Sequence, residues 1–485
     1  MIVLNNRKGL ALPMVIIIVA IVMILCTAAI FVVNNQQTSV SNSRITEDAL
    51  HIAEAGYYKY LWYLNDNSDF YKATVAGNEF KPTSTYTESD NKLWAGYPKE
   101  YAPIEYKSGN AVVGFYQISI VPPSGQQPVL TVTSTGWTAD DADHKRILEV
   151  KIHKRLFTDY LDFSGDSKTP DGDPVYWGDE TVVYGPVFTN GILRTNGTPE
   201  FNDEVTYVEG TEYKNGKPIF KKAGQPQKGT PLVFPSSNKD LVYWAAPAKG
   251  GYEYNGRTCI YLDNNKLQIR NVNTNSDGIA ERILPTSGVI HINGDLFISG
   301  ILDGRLTIVT EGDIFITGKD PTNFNFKSAQ EKIHGIIYAA SWNSPDKTFT
   351  SSCDDMLGMI SNKRILIDTR YWPVQGSNSS KYDKNGGYAV KNMYLQAAIM
   401  GLSSDSYYGV DEYSDLNDMG TLFFAGSKIF NRIGATYTGT GNNVHGYRGS
   451  HAFDYRLIYQ TPPHFIEPAN AGWEVKEWKE KASSQ

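Results

Sequence analysis

A chain of 485 residues, 41% of them hydrophobic, is long enough for two or three domains with substantial cores. Its net charge of −7 argues against a general nucleic-acid binder, and three cysteines are too few for a disulfide framework. Abundant Tyr (31) and Gly (43), with only 20% charged residues, suit an exported, β-rich protein with many turns.

Arg7, Lys8 and Gly9 precede residues 10–33, a run without any charge. As a helix this run rises about 36 Å, at about 1.5 Å per residue, enough for a hydrocarbon core of about 30 Å. The far flank (Asn34, Asn35, Gln36, Gln37) is polar and uncharged. The cations therefore mark the cytoplasmic side, and the bulk of the chain is expected outside the cell membrane, single-pass. Three processing schemes compete. A secretory signal cut near Thr27-Ala28-Ala29 would leave apolar residues beyond its site. A lipoprotein signal at Cys26 would follow Leu25, where a small residue is wanted. The third is a short basic leader, residues 1–9, with the transmembrane helix of residues 10–33 kept on the mature chain. Pro13 speaks for this scheme. As the fourth residue of a chain starting at Leu10, it falls among the four N–H groups that lack an intrahelical partner. The alternative is a kinked, uncleaved anchor.

Beyond Val40, residues Ile45, Ala49, Ile52, Ala53, Gly56, Tyr57, Tyr60, Leu61 and Leu64 recur every three or four positions. That spacing predicts an amphipathic continuation of the helix over residues 34–64, ended by Asn65-Asp66-Asn67-Ser68. The whole is one helix of about 55 residues, apolar all round and then striped.

These features carry a family resemblance. Lys8-Gly9-Leu10 resembles the cleavage site of type IV prepilins, which implies cutting between Gly9 and Leu10 by a prepilin peptidase, N-methylation of Leu10, and a leader charge from Arg7 and Lys8. Ala53-Glu54-Ala55-Gly56 resembles the AEAG segment frequent in minor pilins of the PilX type. Pilins typically carry Glu five residues after the cut, where it partners a neighbour's N-terminal ammonium. The fifth position here is Met14, which resembles the tip-type minor pilins. Met14 and Glu54 are thus the expected filament-packing residues. The implied partners are the membrane, other pilin subunits and the pilus assembly machinery.

In residues 65–156 the period switches to two. Tyr116, Ile118 and Ile120, then Leu130 and Val132, then Leu148, Val150 and Ile152 alternate with polar residues. Three half-buried strands with short connections predict an antiparallel meander. A long helix on such a sheet is similar to the pilin architecture, an α+β region.

Residues 157–467 read as a mainly β head. Gly185, Gly191 and Gly197 are evenly spaced, and residues 294–300 (GDLFISG) are nearly repeated by residues 312–318 (GDIFITG). Gly304 to Ile308 is a looser copy, and segments at Gly335, Arg364 and Ala397 continue the series. Short β-branched strands punctuated by Gly-Asp turns predict a β-solenoid or parallel β-helix; a sandwich with Gly-Asp hairpins is the alternative. Tyr455-Arg456-Leu457 through Pro462-Pro463-His464-Phe465 resembles the closing segment of a bacterial surface domain that has no assigned activity and often follows PilX-type N-termini. Residues 468–485 read as a charged tail.

No catalytic signature is present, and neither a cofactor nor a metal is expected. Residues 441–446 have phosphate-loop spacing, yet Tyr447 and Arg448 stand where Lys and Ser/Thr are required. Asp303 and the Asp354-Asp355 pair are conceivable carboxylates for a polysaccharide-active site, but such pairs on loops are usually solvated. His445, His451 and Asp454, or Asp166, Asp171, Asp173 and Asp179, have ligand-type side chains without a metal-site spacing. Lys214, Lys217, Lys221, Lys222 and Lys228 form a basic loop that could touch anionic polymers. Cys259 and Cys353 could form a single disulfide. The expected function is a non-enzymatic minor pilin or pseudopilin of a type IV pilus or related secretion filament, placed at a tip. Its head would provide adhesion or surface contact with a polysaccharide or host ligand. The alternatives are a membrane-anchored polysaccharide-active enzyme and a static surface protein that never enters a filament.

Overall fold

The computed structural model describes residues 11–66, 70–76, 79–82, 102–123, 128–179, 181–222, 224–235, 237–273, 278–322, 334–340, 353–368, 370–371, 381–382, 390–440, 443–470 and 472–482. The chain forms two compact units. One comprises Met1–Pro122, Val129–His153 and Trp473–Gln485; the other comprises Pro123–Pro128 and Lys154–Gly472. The second unit is therefore inserted into the first.

The first unit is organised by one helix, α1 (Ala11–Asp66). Pro13 lies in its first turn, where the missing N–H costs no hydrogen bond. The expected apolar and amphipathic halves are continuous, and the helix ends where the Asn/Asp cluster begins. Strands Ile104–Ser108, Ala111–Val121, Val129–Thr138 and Arg146–Lys154 follow in antiparallel order. Ile120 pairs with Val132 and Val132 with Val150, so every alternating apolar residue named above faces α1. Ala49, Ala53, Tyr57, Tyr60 and Leu64 supply the helix side of this core, each at most 1% exposed.

Helix and sheet lie unusually close. A Cβ built on Gly136 would strike the backbone of Ala49 and Ala53, and one on Gly56 would strike Ser134 and Tyr116. The small residues of the Ala53-Glu54-Ala55-Gly56 segment therefore have a packing reason: they let the α1 backbone approach the central strand.

A fifth strand completes this sheet, and it comes from the other end of the chain. Trp473–Ala482 pairs alongside Arg146–Lys154. The charged tail expected over residues 468–485 is thus, in its described part, an edge strand. Its charges fit that position: Lys151 meets Glu477 at 2.6 Å, and Arg146 pairs with Glu480 and Glu149 with Lys481. Charged side chains are a common way of blunting a sheet edge.

The second unit is mostly β, with parallel and antiparallel pairing. Strands Val289–Asn293 and Arg305–Thr310 pair in parallel, as do Leu296–Leu302 and Ile314–Ile316. The near-repeat falls in register, with Leu296, Phe297 and Ile298 opposite Ile314, Phe315 and Ile316. Identical side chains then stack, the Phe297 and Phe315 rings at 4.7 Å and 15°. Parallel ladders continue through Met356–Ser361, Met393–Gly401 and Asp418–Phe430. Antiparallel pairing appears at Thr258–Asn264 with Lys266–Asn271 and at Tyr437–Thr440 with Asn443–Phe453.

Chain order and stacking order differ. Strand Asp162–Ser164, the first of this unit, pairs in parallel with the end of Asp418–Phe430. Val187–Thr189, Val205–Tyr207 and Gln227–Lys228 extend the ladder from there. The early strands are thus laid on the late ones. Leu, Ile, Val, Met and Phe from almost every strand fill one continuous core. The segment after Asp454 runs along this unit: Arg305 donates to Gln460 and to the Thr461 carbonyl, and Thr307 to the Pro463 carbonyl.

Candidate functional site

The chemically distinctive surface of the first unit is the N-terminal half of α1. Residues 10–33 contain fifteen Leu, Ile, Val and Phe side chains. At about 0.3–0.6 kcal/mol each near a bilayer centre, they favour insertion by roughly 5–9 kcal/mol. The helix is long and apolar enough to cross a membrane, with a mean hydropathy of 3.3 over its most apolar window and none of that window buried. Thr27 donates its hydroxyl to the Met23 carbonyl at 2.8 Å, so its one side-chain donor is satisfied within the helix. Met14 is 65% exposed within this run. No Asp, Glu, Lys, Arg or His accompanies it before Arg44.

Glu54 belongs to the other half of the helix. It lies 3.2 Å from the His51 ring and is part-exposed on the flank away from the buried stripe. Forty residues of α1 separate it from Met14, about 60 Å at about 1.5 Å per residue, so the two expected packing residues are not brought together. Gly9, Leu10, Arg7 and Lys8 lie outside the described residues.

Burial sets two titrations in this unit. Tyr57 is pushed up to about 12, by burial and then by neighbouring Tyr58. His153 is fully buried and lowered to about 3, chiefly by burial and secondarily by Lys476.

The candidate residues of the second unit are dispersed by the fold. Cys259 and Cys353 are both free and buried in this structure, so the bridge they could form is not made here. Cys259 sits among Phe297, Phe315 and Leu366, and burial pushes its thiol up to about 12. The Cys353 sulfur instead lies 3.7 Å from Asp355. Asp355 is buried and accepts from the backbone N–H groups of Gly304 and Ala340; it ties loops together. Asp354 and Asp303 are exposed.

Asp454 is held by the Arg456 guanidinium and caps the short helix Tyr455–Ile458. His445 lies 2.6 Å from the Leu416 carbonyl. Asp166 pairs with Arg432 and Lys168, and Asp179 accepts from Thr198, whereas Asp171 and Asp173 are exposed. Among the described residues no three His, Cys, Asp or Glu side chains converge as a metal site would require.

The basic loop is largely neutralised. Lys214 meets Glu212, Lys221 meets Glu200, and Lys222 meets Asp203 at 2.7 Å. Burial opposes ionisation of Asp203, but hydrogen bonds from Lys222 and Tyr455 hold its carboxyl below the usual range. Lys217 and Lys228 are exposed.

A cavity of about 170 Å³ opens where strand Asp162–Ser164 lies beside Asp418–Phe430, lined by Asp162, Trp177, Tyr408, Lys428, Phe430 and Arg432 among others. Its residues come from distant parts of the chain and are brought together by long-range pairing, that of Asp162–Ser164 with Asp418–Phe430 and that of Ile365 with Tyr408. No local motif announces them.

No family model matches this chain, and no curated relative matches it. Among solved structures, the competence-associated pilin ComZ from Thermus thermophilus is a distant structural neighbour. The match has 11% identity, a TM-score of 0.33, and covers 91% of this chain and 98% of that one.

Proposed function

We propose that this protein is a non-enzymatic, minor pilin-like subunit of a type IV pilus or related secretion filament. On this reading α1 holds the subunit first in the membrane and then in the filament, and the large β unit is a head for surface contact. One observation carries the proposal: a single continuous helix is apolar on every face in its first half and buries one stripe on an antiparallel sheet in its second. That division suits a subunit that must leave a bilayer without exposing its head to it. The parallel ladders of the head we read as a β-solenoid, inserted before the last strand of the small sheet.

We place the subunit at a filament tip. In mid-filament, Met14 would leave a neighbour's ammonium without its usual carboxylate in an apolar interior, which costs several kcal/mol. At an end no neighbour makes that demand. Mass spectrometry should find a mature N-terminus at Leu10, cut by a prepilin peptidase and N-methylated. Labelled heads should decorate filament ends in electron micrographs, and Met14→Glu should permit labelling along the shaft. Uniform shaft labelling of the unmodified protein would overturn the tip placement, and a chain beginning near Ala29 would overturn the pilin reading itself.

A further inference from the structure

We infer that the cavity between Asp162–Ser164 and Asp418–Phe430 binds one ring of a neutral sugar. It deepens the surface-contact reading of the head and rests on that reading for its setting; the pocket itself lies wholly within the second unit.

Three features point to this ligand class. The first is size: about 170 Å³ accommodates one pyranose ring and little more. The second is charge. Lys428 and Asp162 are paired at 2.7 Å with side chains only 12% and 16% exposed, and Arg432 is paired with Asp166 at 3.0 Å. Each cation already has its anion, so a charged ligand would meet no uncompensated partner, whereas a polyhydroxyl ligand finds donors and acceptors side by side. The third is the apolar surround. Trp177, Tyr408 and Phe430 line the same cavity, and aromatic surfaces suit the C–H faces of a sugar ring.

Tyr408 supplies an independent indication. It is 6% exposed, yet its hydroxyl has no hydrogen-bond partner among the described residues. Its ring is fixed between Phe424 and Phe430, with centroids 6.2 and 6.3 Å away. Burial raises its pKa, so the hydroxyl keeps its proton and remains a donor. A buried hydroxyl left unpaired carries a desolvation cost that a ligand oxygen would relieve.

The test uses the full chain solubilised in a detergent without a sugar headgroup. Saturation-transfer NMR and titration calorimetry would be run with free glucose, galactose, mannose and N-acetylglucosamine, with a linear oligosaccharide of each, with galacturonic and glucuronic acids, and with inorganic phosphate. We expect at least one neutral sugar to bind with a millimolar dissociation constant, more tightly than either uronic acid or phosphate. Comparison of monosaccharide with oligosaccharide distinguishes a free sugar from a glycan end as the source. Trp177→Ala should abolish saturation transfer. Tyr408→Phe should weaken binding about fivefold, the size of one neutral hydrogen bond, while leaving the thermal midpoint unchanged or raised, because that hydroxyl bonds to none of the described residues in the free protein. The inference is overturned if none of the neutral sugars binds, if a uronic acid or phosphate binds more tightly, or if Tyr408→Phe leaves sugar affinity unchanged. Filament labelling is read separately, so the pocket and the pilin assignment can fail independently.

Discussion

Ending the chain at Gly472 should unfold the small unit while sparing the large one. The truncation removes strand Trp473–Ala482, the neighbour of Arg146–Lys154 in the five-stranded sheet. Trp473 is partly buried against the helix–sheet core and edge-on to Tyr71 at 6.0 Å. Trp478 is 40% exposed and edge-on to Tyr57 at 5.2 Å. Fully burying a large apolar side chain is worth about 1.5–3 kcal/mol, so two half-buried indoles contribute about 1.5–3 kcal/mol. The two ring pairs add about 1–3 kcal/mol. The flanking ion pairs are partly exposed and add little. A loss of about 3–6 kcal/mol is a large share of the whole stability of a small domain, about 5–15 kcal/mol.

Hydrogen exchange read by mass spectrometry separates the units. Peptides from residues 111–121 and 129–138 should lose about two to four orders of magnitude of protection, at about 1.4 kcal/mol per decade. Peptides from residues 289–316 should be unchanged. Trp473→Ala alone should produce a smaller loss in the same peptides. Undiminished protection of residues 129–138 in the truncated chain would refute the reasoning, because it would mean that the C-terminal strand adds nothing to the sheet.

Three further outcomes are expected. His153, lowered to about 3 in the fold against about 6.5 when unfolded, binds its proton only in the unfolded chain over that window. Its contribution is complete above pH 6.5 and is lost as pH falls: stability at pH 5 should be about 2 kcal/mol below that at pH 7.5, and urea titrations of His153→Leu should show a flatter profile. Gly136→Val, forced onto the α1 backbone at Ala49 and Ala53, should destabilise the small unit by several kcal/mol, measured by its thermal midpoint. On the proposed pilin-like reading, Gly9→Val should block leader removal yet leave membrane insertion intact, checked by the mature mass and by membrane fractionation.

The helix was legible because two independent patterns, an uncharged run and a three-to-four stripe, abut without a break. The sheet was legible for a similar reason, since Leu130, Val132, Leu148, Val150 and Ile152 alternate cleanly and all become buried. The C-terminal strand was missed because its composition is that of an edge. Trp473 and Val475 do alternate with Glu474 and Lys476, but Glu477 to Lys481 then reads as solvated charge. The near-repeat at residues 294–300 and 312–318 announced strands that pair in register. Nothing local announced that Asp162–Ser164 would dock on Asp418–Phe430, since more than 250 residues separate them. The cavity residues were illegible for that reason: each sits in an unremarkable strand or turn, and only long-range parallel pairing brings an aspartate and a lysine to 2.7 Å.

Inserting the head before the last strand of the small sheet, instead of appending it, changes how the two are joined. The chain leaves Arg146–Lys154 and returns as Trp473–Ala482, and these strands are neighbours. At the junction the Arg155 N–H donates to the Gly472 carbonyl at 3.0 Å, so the outgoing and returning segments are tied where they cross the boundary. Tension on a head appended by one linker would pass into one strand end. Here it passes into two adjacent strands that are hydrogen-bonded to each other and cross-linked by Lys151–Glu477 and Arg146–Glu480. Pulling both in the same direction does not shear the ladder between them. The strand Val129–Thr138 beside them is packed on α1 through Gly136 and Ala53, so the load reaches the helix through buried contacts. On the proposed surface-contact reading, a pull on the head is therefore shared between the edge strand and the inner strand beside it, and is not borne by the edge strand alone.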